Sequence, residues 1–279
     1  MSIRQQVEDA AFLAQNGRHL GALTNLMLAV AASSRRTFPK GVKSLESPGE
    51  PMSDREAFTQ FLGGRIRRLL FGSYGSPEFG NSGISVGFKG KQYDVAYILY
   101  KFYRCELVHE GALPEGVEFL VPQKEHDISI DQQGLRVSIS VGEKMALDHG
   151  WIDLLIQAVA QARCNGSEFG IAHFELIPSV AATEAEIEAS LVAKYDMTPG
   201  RFQILREVVR LIAPKTIEAS DDSALNSHFL ALLRSGKISR GAVTGLASRS
   251  LATYEGLLLP KGLFAAREIA ASYALVPAS

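Results

Sequence analysis

Apolar residues in this chain recur at helical spacing almost throughout, and one stretch departs clearly to a period of two: in residues 127–141, Val137, Ile139 and Val141 alternate with Arg136, Ser138 and Ser140. A period near 3.6 buries one stripe of a helix, whereas a period of two buries one face of a strand. A chain written this way is expected to be mainly α with a small β-hairpin insertion. Leu20, Leu23, Met27 and Val30 carry a helical rhythm through residues 4–36, with a break at Asn16-Gly17. Ser53-Asp54-Arg55-Glu56 has the spacing of a capping box, in which serine and glutamate satisfy the open amides of a helix start. Phe58, Phe61, Leu62 and Ile66 then supply an apolar face.

Further on, the glycine-rich run from Gly72 to Gly90 reads as a loop and residues 92–109 as a helix. Strands are expected at 117–122 and 127–141, the second turning at Gln132-Gln133-Gly134, followed by a helix at 144–163 that carries Trp151. Helices follow at 182–195 and 199–213, the second opening on Thr198-Pro199. The polar run 215–223 reads as a boundary. The expected organisation is a helical domain over 1–178 with a hairpin region at about 114–142, a helical connector over 179–222, and a C-terminal domain over 223–279.

Composition narrows the function classes. The stretch Leu20–Ala32 is too short to span a bilayer, which takes about 20 apolar residues. MSIRQQVEDA places acidic residues where a signal peptide carries its apolar segment, so a cytoplasmic protein without membrane association is expected. Two cysteines, Cys105 and Cys164, and no C-x-x-C give neither a disulfide framework nor a zinc site; His126, His149 and His173 lack ligand spacing, and no metal or other cofactor is expected. Net charge is −1 overall, but it divides into a net +4 over residues 1–111, −9 over 112–222 and +4 over 223–279. Basic ends of this kind permit polyanion binding.

The segment YKFYRCELVHEG, Tyr100–Gly111, concentrates the chemistry. At helical spacing Tyr93, Tyr97 and Tyr100 share a face with Arg104, and a charge on an aromatic face needs a partner. His109 follows five residues later in the last turn. Two readings stand side by side. Cations near a helix C-terminus complement its dipole and Gly111 can end the helix; alternatively, a guanidinium matched to phosphate oxygens and an imidazole titrating near neutrality are the parts of a phosphoryl site. Tyr93, Tyr97, Tyr100 and Tyr103 serve either as base-stacking rings or as a dimer seam.

An all-helical N-terminal region of about 110 residues ending in Arg104-x4-His109 resembles HEPN domains, the helical nucleotide- and RNA-associated modules marked by Arg, four to six residues, then His. The resemblance implies a metal-independent endoribonuclease of toxin or defence type whose site is assembled by a homodimer, with an antitoxin protein as a partner. Arg104 would hold the scissile phosphate, and His109 would exchange the proton of the attacking or leaving oxygen. The C-terminal run GKISRGAVTGLASRS, followed by KGLF and a closing strand, resembles the winged helix-turn-helix modules of bacterial regulators and of Fic-type proteins. That likeness implies helices capped by Ser239 and Ser248, the second running to about Leu259. Ser248, Arg249, Ser250 and Thr253 would face a groove of nucleic acid, with Lys237, Arg240, Lys261 and Arg267 on phosphates. The expected function is RNA or nucleotide handling; the alternative is a non-enzymatic DNA-binding transcriptional regulator whose HEPN-like part dimerises or senses a ligand. Gly83-Ile84-Ser85-Val86-Gly87 matches a hydrolase nucleophile elbow in letters but lacks the strand-turn-helix setting, and neither a nucleotide P-loop nor the Fic motif occurs.

Overall fold

The computed structural model describes residues 2–72, 78–121, 128–132 and 135–278. His126 and the hairpin turn at 133–134 therefore lie outside the described residues. The chain is mainly α-helical and divides into two compact units, with the division between Ile171 and Ala172.

The first unit opens on helices α1 (Ile3–Gln15) and α2 (His19–Thr37), separated where Asn16-Gly17 interrupts the pattern. Ser2 starts α1 by accepting a hydrogen bond from the Gln5 amide. Helix α3 (Asp54–Phe71) follows. Helix α2 packs against both of these and against α6 (Gly150–Ala160), burying Leu23, Leu26, Met27 and Val30 completely. Ser53 Oγ accepts from the Glu56 amide at 3.1 Å, as the capping box predicts. The Glu56 carboxylate, however, turns away from the helix start. It is buried and accepts from Ser44 Oγ at 2.7 Å, Leu45 N at 2.6 Å and Glu46 N at 3.0 Å, pinning the 39–52 loop onto α3.

The expected loop up to Gly90 ends instead in a hairpin, β1 (Ser85–Phe88) and β2 (Lys91–Asp94), turning on Lys89-Gly90. Val86 and Phe88 point into the core, which two such short strands can signal only weakly. Asp94 then starts a continuous helix over 95–109, accepting from Ala96 N through Oδ1 and from Ser82 N and Oγ through Oδ2, each at 2.8 Å. This tyrosine helix consists of an α turn, α4 (Val95–Ile98), a π-helical stretch (Leu99–Cys105) and a second α turn, α5 (Glu106–His109).

A four-stranded sheet follows, built from β3 (Val117–Leu120), β4 (Ile128–Gln132), β5 (Leu135–Ser140) and β6 (Met145–Asp148) in the order β3-β6-β5-β4. The β4–β5 hairpin is the one expected from the alternation. Residues 144–149, expected to begin a helix, form instead β6, parallel to β3 and antiparallel to β5 with all four residues buried. A short run buried on both faces has no alternation to report, so its periodicity does not separate strand from helix. Trp151 Nε1 donates to Ser138 O at 3.0 Å and ties α6 to the sheet. A short 3-10 turn, Arg163–Asn165, and α7 (Gly166–Phe169) close the unit.

In the second unit, β7 (Phe174–Pro178) pairs antiparallel with β8 (Tyr273–Pro277), so its beginning and end are hydrogen-bonded together. Between them lie α8 (Glu184–Lys194), α9 (Pro199–Ile212), α10 (Pro214–Ala219), α11 (Asp222–Arg234), α12 (Arg240–Ala247) and α13 (Pro260–Ser272). The expected 179–222 connector is a correction: α9 packs against α8, α10, α11, α12 and α13, with Phe202, Leu205, Val208 and Val209 fully buried. The polar 215–223 run, an expected boundary, includes Ile217, which is also fully buried. No helix among the described residues is long and apolar enough to cross a membrane.

Glu56 supplies the first test. Burial raises its pKa, but the bonds from Ser44, Glu46 and Leu45 and the charge of Arg55 outweigh that, so its carboxyl sits below the ordinary value. A depressed folded-state pKa stabilises the protein above the unfolded-state pKa, and that contribution is lost as pH falls through the folded value. Glu56→Gln is expected to cost about 2–4 kcal/mol at neutral pH by chemical denaturation, since buried donors lose their acceptor. The gap between wild type and variant should narrow below about pH 4; a gap unchanged down to that pH would contradict the assignment.

Candidate functional site

The C-terminal end of α2, the N-terminal half of α3 and the tyrosine helix enclose a pocket of about 140 Å³. Its walls include Ser34 and Arg35 from α2, Asp54 and Phe58 from α3, and Tyr100 and Arg104 from the π-helical stretch. Phe58 and Tyr100 pack ring to ring at 5.3 Å and form an aromatic wall, while the Arg104 guanidinium lies over Tyr100 with its central carbon 5.5 Å from the ring centroid. Cation–π contact of this kind holds a guanidinium in place without neutralising it.

The two arginines differ in their partners. Arg35 is fully engaged: it forms an ion pair with Asp54 through Nε at 2.7 Å and also through Nη2, and donates to Met52 O and Phe38 O. Arg104 has no carboxylate partner among the described residues, and its buried Nε has no hydrogen-bond acceptor. Buried polar groups are almost always paired, and a charged donor left over is an invitation to an anion. Burial raises the pKa of the Tyr100 hydroxyl, Cys105 raises it further, and Arg104 pulls against both, so at neutral pH it remains a neutral donor. π-Helical turns inside α-helices occur frequently at functional sites, and here the turn carries both Tyr100 and Arg104.

The other expected site residues are dispersed. His109 is exposed at the end of α5 and is not part of the Arg104 pocket, so one chain does not bring the Arg104–His109 pair together there. Tyr103 is fully buried and donates to Glu118 O at 2.8 Å, which makes it a core residue and removes it from any stacking surface or seam. Tyr93, on β2, stacks on Tyr97 at 5.5 Å between centroids.

In the second unit, Ser239 caps α12 as expected, but the helix anticipated at 248–259 is replaced by turns. Ser250 has a left-handed φ of 55° and Gly256 one of 97°, Thr253 Oγ1 accepts from Leu257 N, and Ala252 bridges to Leu258. Side chains assigned to a groove or to phosphates serve this local structure instead. Ser248 accepts from Arg201 and donates to Gly245 O, Arg249 faces Asp196, Lys261 donates to Arg249 O, and Arg267 pairs with Asp222. Lys237 and Arg240 are exposed at the start of α12. The expected wing at Lys261-Gly262 is the first turn of α13. A larger pocket of about 370 Å³ between β7 and α9 is walled by Arg206 and Arg210, but both are bound to carboxylates, Glu184 and Glu207, and to β7 carbonyls.

The family model described as Rv1289 matches residues 2–183. The chain belongs to the Rv1289 family. That span contains every residue of the Arg104 pocket, so the pocket lies within the part that defines Rv1289 family membership. No curated protein and no solved structure matches the chain.

Sequence reasoning singled out Arg104 but missed Arg35, Ser34 and Asp54 as its neighbours. Arg35 reads as an ordinary helix-closing cation and Asp54 as a first-turn acid, and only packing of α2 on α3 joins them to the tyrosine helix. The two arginines should therefore respond oppositely to removal of charge. Arg104→Met should change stability by less than about 1 kcal/mol, because it breaks no internal hydrogen bond and exchanges an unpaired charge for an apolar chain. Arg35→Met should cost roughly 1–2 kcal/mol, since two carbonyls lose their donor and the pair with the largely exposed Asp54 is broken. Thermal and urea unfolding of both variants checks this; equal losses would show Arg104 to be structural.

Proposed function

We propose that this protein handles RNA or a nucleotide and that Arg104 holds a phosphate group. The observation that supports the reading is the partly buried guanidinium with an unpaired Nε, fixed over Tyr100 in a pocket large enough for a phosphoryl group. Its planar fork matches two phosphate oxygens, and a low-dielectric wall strengthens the attraction. The Tyr100 hydroxyl is a neutral donor on the same wall, whereas Ser34 Oγ already donates to Ala31 O at 2.8 Å. Asp54 lines the same pocket, and its pairing with Arg35 offsets its charge.

Cleavage is a further step, for which phosphate binding alone is insufficient. Metal-independent transfer at phosphorus needs a proton carrier at the same phosphate. The HEPN-like reading assigns this to His109, and because His109 lies outside the pocket of its own chain, a second copy must supply it. The regulator reading depends on a nucleic-acid-reading helix at 248–259, and that segment forms turns.

Fluorescence anisotropy with a short single-stranded RNA, at rising salt, tests the binding claim. We expect salt-sensitive binding that weakens about tenfold or more in Arg104→Met and is unchanged in His109→Ala. The same RNA incubated with protein in EDTA reports cleavage: loss of cleavage in His109→Ala establishes the ribonuclease, and intact RNA leaves binding as the activity. Binding equal in Arg104→Met and wild type would overturn the proposal.

A further inference from the structure

A second pocket, of about 300 Å³, opens on two of the three elements that wall the Arg104 pocket, α3 and the tyrosine helix. On the tyrosine helix, Tyr97 lines the second pocket and Tyr100 the first, about 4.5 Å apart along the axis. On α3, Asp54 and Phe58 face the first pocket, and Arg55 and Thr59, their neighbours in sequence, line the second. The two pockets therefore lie side by side along the same stretches of α3 and the tyrosine helix. The second pocket differs in chemistry: its walls carry the carboxamides of Gln60 and Asn81, the Asp94 carboxylate and the Tyr97 ring, with the Arg55–Glu46 ion pair at one side.

The walls are rigid where they must be. The loop carrying Asn81 lies directly on α3 because Gly63 and Gly64 have no side chains: a Cβ on Gly63 would stand 2.2 Å from Gly80 O, and one on Gly64 2.5 Å from Glu78 O. The Gly80 amide donates to Gln60 O at 2.8 Å, and Ser82 is tied to Asp94. Tyr97 is braced by its stack on Tyr93. The Gln60 and Asn81 carboxamides make no side-chain hydrogen bond to other described residues, and Asp94 Oδ1 accepts only from Ala96 N, which leaves it one lone pair.

These groups are those that read an amino-bearing base. A carboxamide pairs in bidentate fashion with the amino and ring-nitrogen edge of adenine, and a carboxylate accepts from an exocyclic amino group. The Tyr97 ring offers a stacking face. Uracil has no exocyclic amino group, and its one ring N–H stands between two carbonyl oxygens that the same carboxylate disfavours. We propose that this pocket is a nucleobase subsite that favours adenine over uracil, beside the phosphate position at Arg104, so that the ligand is an adenine nucleotide, free or within single-stranded RNA. The inference rests on the reading of Arg104 as a phosphate holder.

Isothermal titration of the full chain with AMP, UMP, ribose 5-phosphate and adenosine separates the two claims. AMP is expected to bind about tenfold or more tighter than UMP or ribose 5-phosphate, and Tyr97→Leu and Asn81→Ala should erase that advantage while leaving ribose 5-phosphate binding unchanged. Asn81 is exposed, so its variant keeps the fold even if Tyr97→Leu does not. AMP, UMP and ribose 5-phosphate binding alike, each dependent on Arg104, would overturn the base subsite and leave the phosphate site intact. Adenosine binding as tightly as AMP, with both indifferent to Arg104→Met, would sustain the base subsite and remove the phosphate reading. Absence of binding by all four would overturn both. Given adenine selectivity, oligoadenylate binding tighter than AMP identifies RNA as the source of the base, and equal binding identifies the free nucleotide; either supports the subsite.

Discussion

Helix α2 is buried along most of its length, and that burial determines where the rest of the first unit can stand. Ala22, Leu23, Leu26, Met27, Ala29 and Val30 are wholly inaccessible. Fully burying a side chain of this kind contributes about 1.5–3 kcal/mol for the larger residues. Helices α1, α3 and α6 and the tyrosine helix all pack on it. Its last turns consequently have one orientation, with Ser34 and Arg35 directed at the pocket shared with α3 and the tyrosine helix. The Arg35–Asp54 ion pair and the buried Glu56 carboxylate then lock the start of α3 to this frame.

Like Arg104, Arg67 and Arg206 have a buried Nε without an acceptor, but each donates through Nη2, whereas Arg104 makes no hydrogen bond to a described residue. A buried acid in this unit, Glu56, has three donors, and the buried Arg65 guanidinium donates to Ala158 O and faces Glu78. Arg104 is held by an aromatic face and by nothing ionic. Proteins retain such costs where a ligand completes the set. The π-helical stretch fits this view, because it departs from ordinary helical geometry in the very turn that aims Tyr100 and Arg104 into one cavity.

Much of the helical architecture was legible in the residues themselves. Apolar periodicity marked α1, α2, α8 and α9 and the break at Asn16-Gly17, and strict alternation marked the β4–β5 hairpin. What escaped was set by tertiary context. The Met145–Asp148 run is buried on both sides and shows no period, and the division of the chain at Ile171 carries no polar linker. In the second unit, GAVTGLASRS has the letters of a helix-turn-helix, but Ser250 and Gly256 take left-handed conformations and Thr253 closes a turn on Leu257. Within the site, Arg104 was visible as a charge on a tyrosine face. Its companions were not, because Arg35 and Asp54 reach it only through packing of three helices, and Gln60, Asn81 and Asp94 only through a loop seated on Gly63-Gly64.

The central claim concerns a single N–H group, and it can be watched directly. In a ¹⁵N-labelled protein, the arginine Nε–H resonance that disappears in Arg104→Met identifies the group. Titration with inorganic phosphate, and separately with AMP, should move that resonance saturably downfield as a charge-assisted hydrogen bond forms, while the Nε–H of Arg35, already bound to Asp54, stays in place. An Arg104 resonance that ignores both anions, or that already shows a strong hydrogen bond before any is added, would contradict the account.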